Sequence, residues 1–223
     1  TAQVSYLTTD QMVSLATSQV IFFSTAAIDV GLSSVQISSF GTAQVAALTT
    51  TQVKLLDSGQ VAAITTSQIA SLMTAQLITL GSETIDDITT AGISSLTTYQ
   101  LTAMTTQQVS AITSAQVSAL VTNQVATLTT AQVSIFTSFQ VSSLVTAQIG
   151  ALSTADVMVM TTNAIAGLKS SQIQALNTRQ MVALTTDQVV TLSTDQTAAL
   201  TTAQLASLTT AQLVTLETDD VAA

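Results

Sequence analysis

The chain has 223 residues, with 3 basic and 12 acidic side chains and no His, Cys, Pro or Trp. Its formal net charge of −9 opposes binding to nucleic acid or anionic lipid, and without Cys there is neither a disulfide framework nor thiolate chemistry. Mean hydropathy is +0.56, yet the longest apolar runs, such as 20–23 and 157–160, fall far short of the roughly 18–20 residues that a membrane-spanning helix needs.

One motif accounts for nearly the whole chain. From Ser33 onward an eight-residue unit recurs without insertion or deletion, as in 41–48 (GTAQVAAL), 65–72 (TTSQIASL) and 201–208 (TTAQLASL). We number the octad so that Thr42 is position 2, Gln44 position 4, Val45 position 5 and Leu48 position 8. Position 2 is then always Ser or Thr, and position 8 always apolar. Position 5 is Val, Ile, Leu or Met except at Thr197, and position 4 is Gln except at Thr84, Gly92, Asp156, Ala164 and Asp220. Self-similarity at a short fixed period marks a solenoid.

In chain order, residues 1–28 carry the unit one residue early, with Gln3, Gln11 and Gln19 at position 4. The frame slips once, near 29–32, at Asp29-Val30-Gly31, where glycine's tolerance of unusual backbone angles best admits an extra residue. Residues 33–80 are regular. Residues 81–96 lose Gln twice and carry Asp86-Asp87; 97–152 are the most regular; 153–168 again lose Gln twice; and 169–223 are regular with an acidic end at Glu217, Asp219 and Asp220. No Gly, Ser or Pro linker intervenes, so 1–223 is expected to form one continuous array. The chain begins Thr-Ala-Gln, and we read it as an excerpt of a longer repeat array.

The octad predicts an all-α solenoid of very short helices, one per repeat. On a wheel of about 100° per residue, positions 4, 8, 1 and 5 fall on one side and 3, 6 and 7 on the other. Charges occupy positions 1, 3, 4, 6 and 7 and never 2, 5 or 8, which places the position-2 hydroxyl inward. Thr at position 1 with Gln three residues on, as in Thr49/Gln52, Thr65/Gln68, Thr105/Gln108 and Thr129/Gln132, has capping-box spacing. Where position 1 is Gly41, Met73, Gly81, Val121, Val145 or Lys169, the position-2 hydroxyl is expected to cap instead. So short a helix is unstable alone, so successive helices must bend round into stacked coils over a core of positions 5 and 8. The competing fold is a β-solenoid of stacked Thr and Gln ladders, but its corners favour Gly, Asn or Asp, which are sparse and not periodic here.

No residue set points to catalysis: Ser and Thr belong to the repeat, and no base stands beside a marked one. The pairs Asp86/Asp87 and Asp219/Asp220 lack the several spaced carboxylates and turn glycine of a calcium loop. We therefore expect no enzyme activity, no cofactor and no metal. Apolar residues do fall at outward positions: Ile78, Tyr99, Ile135, Phe139, Met158, Val159, Val182, Val190 and Val214. Of these, Met158, Val159, Val182, Val190 and Val214 are the candidate self-association surface.

The octad at 185–192 with the Leu before it, 184–192 (LTTDQVVTL), resembles repeat tracts of very large bacterial secreted or surface proteins, adhesin-like in character. That resemblance spans the chain and implies an extracellular structural role, without functional residues. The same Leu-Thr-x-x-Gln-Val-Val start also resembles the first-helix opening of transcription-activator-like effector repeats. Those are longer and carry a second helix and a base-reading loop, so only the helix start carries over. The expected function is a structural module of a bacterial extracellular or cell-surface protein, forming a rod or filament with itself as partner. The alternative is an adhesive module whose Thr/Ser/Gln face docks glycan, ice or another surface.

Overall fold

A computed structural model describes residues 3–29 and 31–219, with side chains to residue 216. Among the described residues there is no strand; from Thr8 to Leu208 each repeat folds into one short α-helix, and the last helix, Thr210–Asp219, runs on past the end of its octad. By internal contacts the chain divides into two units, Thr1–Ile112 and Thr113–Ala223; the octad register runs on through that division in the sequence.

Each octad starts and stops by local chemistry. In the octad at 113–120, the Thr113 hydroxyl accepts from the Gln116 N–H at 3.2 Å, while Gln116 Oε1 accepts from the Thr113 N–H at 2.8 Å. This reciprocal pair satisfies two of the N–H groups that a helix start leaves orphaned. The helix then runs only Ser114–Ala119. Leu120 closes it with its N–H on the Val117 carbonyl at 3.2 Å, and its own ψ of 137° is already extended. The next residue, Val121, is extended too, at ψ 154°. Two extended residues in succession therefore make the corner. No residue with positive φ is used among the described residues, which is why the corners need no periodic Gly, Asn or Asp.

The corner alters the wheel. Positions 4, 5 and 8 are buried, but position 1 is exposed and position 7 is half-buried, as in Thr65, Gln68, Ile69, Ser71 and Leu72. Position 2 is on the surface rather than inward, as at Thr42, Thr66, Thr122 and Thr186. It does not cap either: at Met73, Val121, Val145 and Lys169 no hydroxyl takes the place of the missing cap, and only the Gln half of the capping box remains. A helix of about one and a half turns followed by an extended bend does not carry a 100° rotation through all eight positions.

Within each unit, every helix packs on the one three octads earlier: Thr66–Ser71 on Thr42–Ala47 in the first unit, and Thr178–Ala183 on Thr154–Val159 in the second. The position-4 Gln reaches one octad further back. Gln68 Nε2 donates to the carbonyls of Ile37 at 3.0 Å and Phe40 at 2.7 Å, which lie 31 and 28 residues before it. Each helix thus lies across the gap between the helices three and four octads before it, and one coil holds between three and four octads. Equivalent side chains are staggered from coil to coil rather than stacked in straight ladders.

The core is the file of position-5 and position-8 side chains, among them Ile69, Leu72, Ile93 and Leu96 in the first unit and Ile149, Leu152, Ile173 and Leu176 in the second. Phe23 and Phe40 stack at 6.5 Å between ring centroids and fill the bulkier start of the first unit. The frame slip is absorbed in place, because Gln60 Nε2 still donates to Ile28 at 2.8 Å and Leu32 at 2.7 Å across the longer repeat. Glycine serves there for space, not for angle: a Cβ on Gly31 would stand 2.6 Å from the Ala27 carbonyl oxygen. Gly31→Ala is therefore expected to lower the urea midpoint of the chain. Gly41→Thr should raise it by the equivalent of about 1 kcal/mol, since it adds a missing cap at φ −70° with no contact closer than 3.7 Å.

Candidate functional site

The feature on which this architecture turns is the buried position-4 Gln. Gln180, 1% exposed, accepts from the Asn177 N–H through Oε1 at 2.8 Å and donates through Nε2 to Ile149 at 3.0 Å and Leu152 at 2.7 Å. Gln188, Gln196, Gln204 and Gln212 repeat the arrangement onto the coil before them. One primary amide thus brackets a helix start in its own coil and two helix-end carbonyls in the preceding one. An amide suits this because it carries acceptor and donor on a single planar group. The sequence placed Gln in the capping box; its second role, between coils, rests on partners about 30 residues away.

The four described departures from Gln lose that link. Thr84 turns its hydroxyl back to the Gly81 carbonyl at 3.0 Å. Asp156 takes only the capping half of the role, with Oδ2 accepting from the Ser153 N–H at 2.9 Å and hydroxyl at 2.6 Å. Gly92 and Ala164 have no group to offer. Asp220 lies outside the described residues.

Of the candidate association residues, Met158, Val182, Val190 and Val214 are exposed, each at position 6. Val159, at position 7, is half-buried instead, because position 7 faces the coil before it. The structure brings the exposed four together in pairs. Met158 and Val182 sit on the packed helices Thr154–Val159 and Thr178–Ala183; Val190 and Val214 sit on Thr186–Val190 and Thr210–Asp219, which also pack. The two pairs also adjoin, since Gln188 and Gln212, from the octads of Val190 and Val214, reach the carbonyls of Met158 and Val182 four octads earlier, at 3.3 and 3.4 Å. Beside Val182 a shallow open groove is lined by Thr178, Arg179, Val182 and Ser207. Among the other outward apolar residues, Ile135 is half-buried, while Ile78, Tyr99 and Phe139 are exposed.

Two further surfaces were not legible in the pattern. Leu205 and Leu213, both at position 5, are 45% and 36% exposed where their counterparts are buried, and no Gln donates to the carbonyls of their octads among the described residues. In the first unit, Gln11 and Gln19 keep the capping bond through Oε1 at 2.8 Å, and no bond from their Nε2 is formed among the described residues. The position-2 hydroxyls make the other surface. Among the described residues only that of Ser170 is bonded within the chain, to the Asp195 carbonyl at 3.3 Å.

Of the acidic pairs, Asp86 is exposed and Asp87 half-buried, while Asp219/Asp220 and the final Val221 lie outside the residues whose side chains are described. No group of three or more His, Cys, Asp or Glu able to hold a metal lies together among the described residues. No described helix is long and apolar enough to cross a membrane. The family model for the ALTTAQ repeat matches residues 149–186 and 165–202. No curated protein matches the chain. It is a repeat protein, built as an all-α solenoid of short helices.

Proposed function

We propose that this chain is a structural repeat module of a bacterial extracellular or cell-surface protein, without enzymatic activity, that builds a rod or filament by self-association. The observation that carries the reading is the Gln bracket. The same amide makes the same bonds in octad after octad, so the repeat is spent on joining like to like. The exposed Met158, Val182, Val190 and Val214, on adjoining octads, support lateral pairing of copies, since clustered exposed apolar side chains favour a cover.

The test is sedimentation of the 223-residue chain over a wide concentration range. Growing species are expected, and Val182→Asp with Val190→Asp should reduce their mass. A chain that stays monomeric at high concentration, with the double variant indistinguishable from it, would overturn the association.

One observation favours the second reading, an adhesive face for glycan, ice or another surface. Position 2 is Ser or Thr in every octad; among the described residues it is exposed in most octads, half-buried at Ser34, Thr98, Ser114, Ser138 and Ser170, and its hydroxyl is almost unused by the fold. Pro would suit the same first helical position, so the fold itself does not require a hydroxyl there. Retention of the chain on a glycan panel or on ice would favour this reading over a purely structural one.

A further inference from the structure

We propose that octads 81–96 in the first unit and 153–168 in the second are built-in yield points, at which neighbouring coils part before the rest of the solenoid opens. Each unit has two successive octads without Gln, at Thr84 and Gly92 and at Asp156 and Ala164. The two sets stand 72 residues apart, Thr84 to Asp156 and Gly92 to Ala164, which is nine octads. In each set a short polar residue that bonds within its own octad is followed by one with no polar group. A coil holds between three and four octads, so two missing brackets remove half or more of the Gln links along one coil boundary. The carbonyls left without a Gln donor are those of Leu56 and Ile64, and of Leu128 and Phe136, by the offset that Gln76 and Gln148 keep to Leu48 and Leu120.

Close contact takes the place of the brackets. A Cβ on Gly167 would come within 2.5 Å of the Ser138 Cβ three octads earlier, and one on Gly92 would stand 3.5 Å from the Ile69 side chain three octads earlier, at ordinary contact distance. Such contact resists compression, but dispersion attraction loses a quarter to a half of its strength once a gap of roughly 0.5–1 Å opens. A seam held mainly by contact therefore gives way once displaced, while its bracketed neighbours hold; at the first seam the Ser95 hydroxyl still donates to the Thr66 carbonyl at 3.1 Å.

Hydrogen exchange on the intact 223-residue chain tests this. The informative amides are those whose own bonds are the same in every octad. Ile165 and Leu168 N–H bond to Thr161 and Ile165, as Ile149 and Leu152 N–H bond to Val145 and Ile149. Ile93 and Leu96 likewise bond to Thr89 and Ile93. Any difference in exchange among these amides then reports the parting of coils. Those at 93, 96, 165 and 168 are expected to exchange about tenfold faster than those at 149 and 152, as for two missing hydrogen bonds. Asp156→Gln should slow exchange across 153–160 and 121–128 by about tenfold and leave 81–96 unchanged. Should that variant not fold, Thr84→Gln makes the same test on 81–88 and 49–56. In the converse direction, Gln68→Ala should create a new fast-exchanging seam between 65–72 and 33–40. Uniform exchange at matched positions of the interior octads, or no slowing when Gln is restored, would overturn the proposal.

Discussion

Gln180→Ala is expected to destabilise its unit by about 2–6 kcal/mol, the largest single-site effect outside the core. Two backbone groups lose their partner at once, the Asn177 N–H and the Leu152 carbonyl, and the Ile149 carbonyl keeps only the Leu152 N–H. Each polar group left unsatisfied on burial costs about 1–3 kcal/mol, and a domain's whole stability is of order 5–15 kcal/mol. Gln180→Glu separates the two halves of the role. A carboxylate still accepts from Asn177, but it sets oxygen against two carbonyl oxygens where a donor is needed. If the bond between coils is the larger part, Gln180→Glu will be no more stable than Gln180→Ala in urea unfolding at neutral pH. A Glu variant close to the parent chain would mean that capping alone explains the residue.

Leu120→Ala and Leu128→Ala are each expected to destabilise by about 2–5 kcal/mol, because both side chains are buried, at 4% and 6% exposure, and their removal leaves a cavity that the coil cannot fully close. Ala131→Asp is the matching surface change. Ala131 is exposed at position 3, in the first turn of its helix, where an acidic side chain is favoured by the helix dipole. Its effect should stay within about 0.5 kcal/mol. Equal losses at the two kinds of position would contradict the assignment of positions 5 and 8 to the core.

Much of this architecture can be read from local sequence, because its local hydrogen bonds span only three residues. Thr113 and Gln116, or Thr65 and Gln68, carry both halves of the capping box in the sequence itself. The apolar residues at positions 5 and 8 likewise specify a short helix with a buried edge. The preference for helices over stacked strands follows, since the corner is two extended residues that any side chain adopts and needs no turn chemistry.

Relations between coils were decided only by the tertiary structure. The number of octads per coil follows from how a one-and-a-half-turn helix and a two-residue bend add up around an axis, and no single octad contains that sum. The acceptors of Gln68 Nε2 lie 28 and 31 residues earlier, beyond the reach of any local pattern, so the amide read as a cap and its bond between coils did not appear. Gly31 invited a reading from backbone angle, whereas its neighbour is the Ala27 carbonyl, which leaves no room for a Cβ. Position 2 shows the same limit. The absence of charge there argued for burial, but the extended bend at positions 8 and 1 interrupts the helical rotation and leaves Thr42, Thr66 and Thr186 at the surface. What lies within one turn of backbone is set by the residues of that turn, and what one coil does for the next depends on the whole winding.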